Sequence, residues 1–493
     1  MREIGHHSIV SVRGPLGRPS WLALALICGL SAAGRLVAQD HQPFDPEARA
    51  IFKQLIEINT TESSGSVTKA AEAMAARLRE AGFPDKDVIV AGPTERKKNL
   101  VVRLRGTGQR APVLFIGHLD VVEARREDWS MDPFQFIEQD GNFYGRGTRD
   151  MKAGDAILVE SFLRLKREGY QPDRDLILAL TADEETGDAN GVDWLLKAHR
   201  DWINAEYCIN LDGGEFERLR GERVLAGLQA SEKVYADFRF ETTNVGGHSS
   251  IPGPDNAIYE LAAGLTKLER FSFPVRINEI TRSYFAQSAN FASDSLAADL
   301  RGAAQQPPNP VAIQHLATIP YYNALLRTTC VATMLSGGHA PNALPQTARA
   351  NVNCRIFPGE DPEQVRKTLE KVVGDTGVKV SLVADKTSDG KPIPLVAVPP
   401  SPLVPELTDA LERTLSTMWS GMQVVPTMST GATDGKYLRI AGIPTFGIAC
   451  MFFDMEDDRS HGRDERVGVQ DFYDGVEFGY RFMKSLSSPA KAS

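Results

Sequence analysis

Apolar residues recur along this chain in two rhythms. Between 67 and 82 they fall at helical spacing, through Val67, Ala71, Met74 and Leu78, and Gly82 stands where such a helix would stop. Segments 100–104, 113–116, 176–180 and 207–211 are short apolar runs instead, as strands buried on both faces require. A second helical stretch, 153–168, has Ile157, Phe162 and Leu165 among its apolar positions. Strand and helix in alternation predict an α/β fold whose mainly parallel sheet is covered on both faces.

Near residue 230 the rhythm changes. Val234, Ala236, Phe238 and Phe240 alternate with polar residues, as in a strand with one wet face. A helix over 256–268, strands at 328–335 and 348–356, a helix over 362–373 and a strand at 378–383 follow. That β-α-β-β-α-β order is the split βαβ, ferredoxin-like unit. The Pro/Gln-rich patch at 305–310 reads as a loop inside it, and the Pro-rich stretch 392–405 as the return, leading into a helix over 405–418. The expected division is a leader at 1–38, the first part of an α/β domain at 45–229, an inserted α+β domain at 230–388 and the rest of the α/β domain at 389–487.

Composition narrows the options. A length of 493 residues suits two domains, and 42% apolar residues suffice for real cores. The net charge of -9 argues against nucleic acid as a partner, since a phosphate-binding surface needs a basic excess. Arg13 and Arg18, the apolar run 21–33 and Leu36-Val37-Ala38 before Gln39 read as a secretory signal. The run is shorter than the ~20 residues that span a bilayer, so no stable membrane insertion is expected after cleavage. Cys208, Cys330, Cys354 and Cys450 read as small buried hydrophobes with free thiols. Cys330 and Cys354 fall on segments that could also face one another, and export permits that disulfide without requiring it.

Side chains able to bind metal follow the apolar runs. His118 and Asp120 come just after 113–116, Asp183-Glu184-Glu185 after 176–180, and Asp212 after 207–211. Open α/β sheets bind ligands beyond the carboxyl ends of their strands, so one site is expected there. A nearby carboxylate such as that of Asp120 can hold the ring's second nitrogen, although a solvated turn would explain this pair as well. Asp150 in GRGTRDMK has two oxygens and can bridge two metals, although a helix N-cap also favours Asp. Adjacent Glu184 and Glu185 point different ways, so one can ligate while the other takes a proton from activated water. His461 in SHGRDER joins the set. His248 in GGHSS is a candidate oxyanion donor. Asn342 in GGHAPNALP and Arg355 in NCRIFPG are candidates for a substrate carboxylate, with a plain exposed strand position the alternative for Arg355.

GHLDVV, WSMDPF, DGNFYGRGTRDMK, TADEETG, GGHSS, NALP and SHGRDER together resemble the zinc-dependent exopeptidase and deacylase family of carboxypeptidase S, aminoacylase, carnosinase and acetylornithine deacetylase. The resemblance runs over about 45–485 and is nearest the carboxypeptidase S-like branch. It implies two zinc ions per subunit, with Asp150 bridging, Glu185 and His461 completing one site, and His118 and Asp212 the other. Asp120 would orient His118 and Glu184 would be the general base. The inserted domain would be the lid and make a homodimer, His248 would reach the partner's site, and Asn342 and Arg355 would contact the substrate's terminal carboxylate. One departure stands out: the family's frequent Gly-Gly-Thr-Asp-Ala-Arg is here Gly431-Ala432-Thr433-Asp434-Gly435-Lys436, and lysine lacks the bidentate fork.

With the signal-like leader, the resemblance implies a secreted or periplasmic di-zinc hydrolase that cleaves the amide next to the C-terminal residue of a small peptide or N-acyl amino acid. Mixed nitrogen and oxygen sites also accept cobalt or manganese. An aminopeptidase or tripeptidase of the same family is the enzyme alternative, and a catalytically silent metal- or peptide-binding protein the other.

Overall fold

The computed structural model describes residues 44–187, 189–219, 221–374, 376–384 and 395–488. The leader at 1–38 and the start of the Pro-rich return lie outside the described residues. Among the described residues no helix is long and apolar enough to cross a membrane.

A 10-stranded sheet forms the body of the chain. Its centre is parallel: Leu176–Thr181, Val113–His118, Tyr207–Asn210 and Thr445–Gly447 run side by side in that order. Antiparallel strands, Val88–Ala91 and Asn99–Leu104, complete one edge. Strand residues alternate between two cores. Val113, Phe115, Leu176 and Leu178 face a large cluster with the helices Asp45–Glu57, Val67–Glu80, Lys152–Arg167 and Val469–Ser487. Leu114, Ile116, Ile177 and Ala179 face a second cluster containing Leu195 and Leu438. Continuous apolar runs are what burial on both faces demands. Helix Lys152–Arg167 packs closely on helix Val469–Ser487, where a Cβ on Gly475 would stand 2.9 Å from Ile157 Cδ1 and 2.4 Å from Met451 Cγ. Glycine is needed there for the approach.

The second sheet has four antiparallel strands in the order Thr329–Gly337, Thr347–Ile356, Val234–Thr243, Lys379–Val383. Helices Ala257–Glu269 and Pro362–Val373 cover one face, burying Phe238, Phe240, Leu261 and Leu369. Chain order and strand order together are those of the split βαβ unit. Cys330 and Cys354 are directly opposed on neighbouring strands and form a disulfide, which corrects the free-thiol reading for that pair. Cys208 and Cys450 are free and buried.

Four short helices between 279 and 326 went unread in the sequence: Glu279–Ser288, Asp294–Ala304, Pro310–Leu316 and Pro320–Leu326. Their apolar faces, through Phe285, Leu300, Leu316 and Leu326, join the core of the large sheet rather than that of the four-stranded one. The patch at 305–310 links two of these helices.

Candidate active site

The register of the parallel strands brings their carboxyl ends level. His118 pairs with Thr181, and Ile116 with Asn210, so the loops after all three strands open at one rim. Of the candidate side chains, the structure brings seven together there: His118, Asp120, Asp150, Glu184, Glu185, Asp212 and His461. Asp150 Oδ1 lies 3.1 Å from His118 Nε2, and its Oδ2 3.1 Å from His461 Nε2. Glu185 Oε1 is 3.0 Å from His461 Nε2. Asp212 Oδ1 is 3.7 Å from His118 Nε2. Ligand atoms of His118, Asp150 and Glu185 lie within 4.8 Å of one another, as do those of His118, Glu184 and Asp212. Two overlapping donor groups thus share the centre of the rim.

The loops are held by partners of their own. Asp183 and His461 have positive φ, 65° and 61°, which few non-glycine residues adopt outside functional turns. Asp183 is buried and bonded to Lys97 Nζ at 2.7 Å, so the first acid of the triplet fixes its loop rather than facing the cluster. The carboxylate of Asp120 does not hold His118 as expected. His118 Nδ1 lies 3.0 Å from the Asp120 backbone carbonyl and 3.8 Å from its carboxylate. That carboxylate instead accepts the backbone N–H groups of Glu184 at 3.2 Å and Glu185 at 3.0 Å.

Sequence reasoning missed Glu465. It is fully buried, pairs with Arg146 Nη1 at 2.5 Å and accepts the backbone N–H of Arg149 at 2.7 Å and of Asp150 at 3.0 Å. It ties the turn carrying Asp150 to the segment carrying His461. Its position inside SHGRDER was the one signal available. Asp434 was quoted only as part of a motif. It bonds Thr181 Oγ1 at 3.1 Å and Asn190 Nδ2 at 2.5 Å beneath the cluster. Lys436, the departure from the family pattern, lies over the Tyr437 ring. The arginine that reaches the interior from helix Gly435–Ile440 is Arg439, paired with buried Glu232 at 2.8 Å.

Electrostatics test whether these residues fit metal ions. Burial and the neighbouring Asp212 carboxylate push Glu184 well above the usual carboxylate range. Burial lifts Asp212 to about 7 and Asp434 to about 6, although hydrogen bonds to His118 and Asn190 respectively oppose it. Burial works against a charge on His118, but its bonds to Asp150 and Asp212 outweigh this and hold it well above its ordinary value. His461 is raised to about 10 by bonds to Asp150 and Glu185. The carboxylates resist ionising together because buried like charges lack compensation. Divalent cations supply that compensation, and imidazole and carboxylate donors suit zinc-like ions. The side chains present fit a dinuclear metal centre.

The other three candidates lie elsewhere. His248 is exposed in the strand Gly247–His248, where Ser250 N donates to its Nδ1 at 3.2 Å. Asn342 is exposed beside it, its carbonyl accepting from Ser249 N at 3.1 Å. Arg355 lies in the four-stranded sheet with its guanidinium 4.7 Å from the Tyr235 ring. All three are carried by the segment 234–383 and none touches the cluster in this arrangement.

An α/β sheet with acids, imidazoles and a spare glutamate at its carboxyl rim is the framework of a metal-dependent hydrolase. The chain belongs to peptidase family M20/M25/M40, whose profile matches residues 114–485. It is 28% identical over 392 residues to "Probable carboxypeptidase S-like 2" of Dictyostelium discoideum, covering 76% of this chain and 71% of that one. It is 26% identical over 401 residues to human "N-fatty-acyl-amino acid synthase/hydrolase PM20D1", covering 76% and 74%. Its fold is similar to that of the M20 family metallo-carboxypeptidase Sso-CP2 from Sulfolobus solfataricus, with a TM-score of 0.67, 16% identity and coverage of 89% and 99%. The protein is a hydrolase of peptide or amide bonds.

Proposed function

We propose that this protein is an exported di-zinc amidohydrolase that cleaves the amide next to a C-terminal amino acid of a small peptide or N-acyl amino acid. The observation that carries the proposal is Asp150, whose two oxygens each face a different imidazole at 3.1 Å. In this reading Asp150 would be shared by two ions, Glu185 and His461 would complete one site, and His118 and Asp212 the other. When bound, the ions supply Lewis acidity and make water acidic enough to be activated near neutral pH. Glu184 takes the proton of the attacking water and returns it to the leaving nitrogen. Asp120 fixes the direction of the Glu184 side chain through the backbone. The carboxypeptidase and N-acyl amino acid names of the relatives support the substrate class.

The segment 230–388 acts as a lid that brings Asn342 and Arg355 to the substrate's carboxylate and carries His248 toward the site of a second subunit. A homodimer through this segment is supported by its edge strand Thr329–Gly337, where Val331, Met334 and Leu335 are 61%, 70% and 72% exposed. An unpaired apolar edge invites pairing with another copy. Export is supported by the signal-like 1–38 and by the Cys330–Cys354 disulfide, since such bonds persist in oxidising compartments.

The test is a zinc-loaded activity screen across dipeptides, tripeptides with free amines, and N-acyl amino acids, with and without a chelator. Chelator-sensitive hydrolysis of N-acylated substrates or carboxypeptidase cleavage supports the proposal. Activity confined to substrates with a free α-amine replaces it with an aminopeptidase.

A further inference from the structure

Among the described residues, a second arginine in the turn that carries Asp150 has a side chain with no ion pair or hydrogen bond. Arg149 lines a cavity of about 200 Å³ together with Asp150, Asp212, Gly214, Phe453 and Ser460. Its guanidinium carbon lies 3.3 Å from the centroid of the Phe453 ring. Its Nε is buried with no hydrogen-bond partner. The carboxylates that influence it, Asp458, Asp150, Glu465 and Asp212, all have other engagements. Glu465 is paired with Arg146, Asp458 accepts from Ser460, and Asp150 and Asp212 face the imidazoles. Among the described residues no side-chain ion pair or hydrogen bond of Arg149 is present. The contrast within one turn is sharp: Arg146 is buried and paired for structure, while Arg149 faces the cavity beside the metal donors.

Substrate chemistry limits where a carboxylate anchor can stand. In a C-terminal residue only the amide nitrogen and Cα separate the scissile carbon from the carboxylate carbon, a span under about 4 Å. The anchor must therefore line the same cavity as the metal donors. Arg149 does so. Stacking on Phe453 fixes the plane of its guanidinium, so little freedom is lost when a carboxylate meets the fork.

We propose that Arg149 is the first anchor of the substrate's C-terminal carboxylate, an assignment that rests on the amidohydrolase reading above. A carboxylate has two oxygens, so Arg355 and Asn342 can add to Arg149 when the lid segment closes. Arg149 is then a specificity determinant: it favours acids over neutral analogues of the same shape.

The experiment compares the best N-acyl amino acid from the substrate screen with its C-terminal carboxamide, using the zinc-loaded wild type, Arg149→Lys and Arg149→Gln. The readout is the ratio of kcat/KM for the acid to that for the carboxamide. Wild type favours the acid, and the ratio falls about tenfold or more in Arg149→Gln, the scale of a lost charge-assisted bidentate pair. It falls less in Arg149→Lys, which keeps charge but not the fork. A residue that merely balances the charge of the acidic cluster would slow both substrates alike, so an unchanged ratio overturns the assignment. Wild type inactive on both compounds and on every peptide overturns the amidohydrolase reading itself, and the anchor with it.

Discussion

Asp120 holds Glu184 by its backbone: the aspartate's Oδ1 accepts the Glu184 N–H at 3.2 Å, while its other oxygen accepts that of Glu185 at 3.0 Å. One carboxylate thus sets the start of two neighbouring side chains. Asparagine can accept at only one of these positions. Asp120→Asn is expected to lower kcat about 10- to 100-fold, the usual scale for residues that position a metal site. Steady-state kinetics beside metal analysis checks this. Unchanged kcat would show that the backbone contacts do not matter to turnover.

Glu184 is expected to be needed for proton transfer and dispensable for metal. Glu184→Gln keeps the size of the side chain and removes the base. It should retain bound metal and lose at least about 10²- to 10⁴-fold in kcat. Turnover at the wild-type rate would remove Glu184 from the mechanism.

Much of this site was legible because its residues follow strands that read plainly. Leucine-rich 176–180 and the run 113–116 announce buried parallel strands, and whatever follows them must stand at the rim. Glu465 and Asp434 were harder, because their importance lies in contacts with Asp150 and Thr181 that sequence spacing does not encode. The strand Glu222–Glu232 was hidden by its polar end, where buried Gln229 donates to Glu232 and Glu232 forms an ion pair with Arg439. The helices between 279 and 326 have 7 to 11 residues, too few turns for a clear apolar period. His248, Asn342 and Arg355 follow from motifs, and a motif does not encode where its carrier stands relative to the rim.

The Cys330–Cys354 bond ties the edge strand of the four-stranded sheet to its neighbour. Replacing both cysteines with serine should cost about 2–4 kcal/mol of stability. Thiol titration of the denatured, unreduced chain without its leader should find Cys208 and Cys450 alone. Two further reactive thiols would contradict the bond.

Glu160 offers a pH test outside the cluster of candidate metal donors. Burial, and then the neighbouring Glu47 carboxylate, push it up to about 8 from an ordinary 4.5. The folded state therefore binds a proton that the unfolded chain releases above pH 4.5. The stability this proton confers is full below the unfolded value and is lost as pH rises through the folded one. Glu160→Gln keeps a neutral group at every pH. Its melting temperature should exceed that of the wild type by more at pH 8 than at pH 5. An equal difference at both pH values would show that Glu160 ionises normally.

The proposed function rests on Asp150 being shared by two metal ions. Elemental analysis of the purified protein after zinc loading and dialysis tests it most directly, with Asp150→Ala alongside. Two ions per chain are expected in the wild type and fewer than one in the variant, because both sites lose the carboxylate they share. A wild type that retains no zinc, or an alanine variant that still retains two ions, would rule out a metal pair held by Asp150.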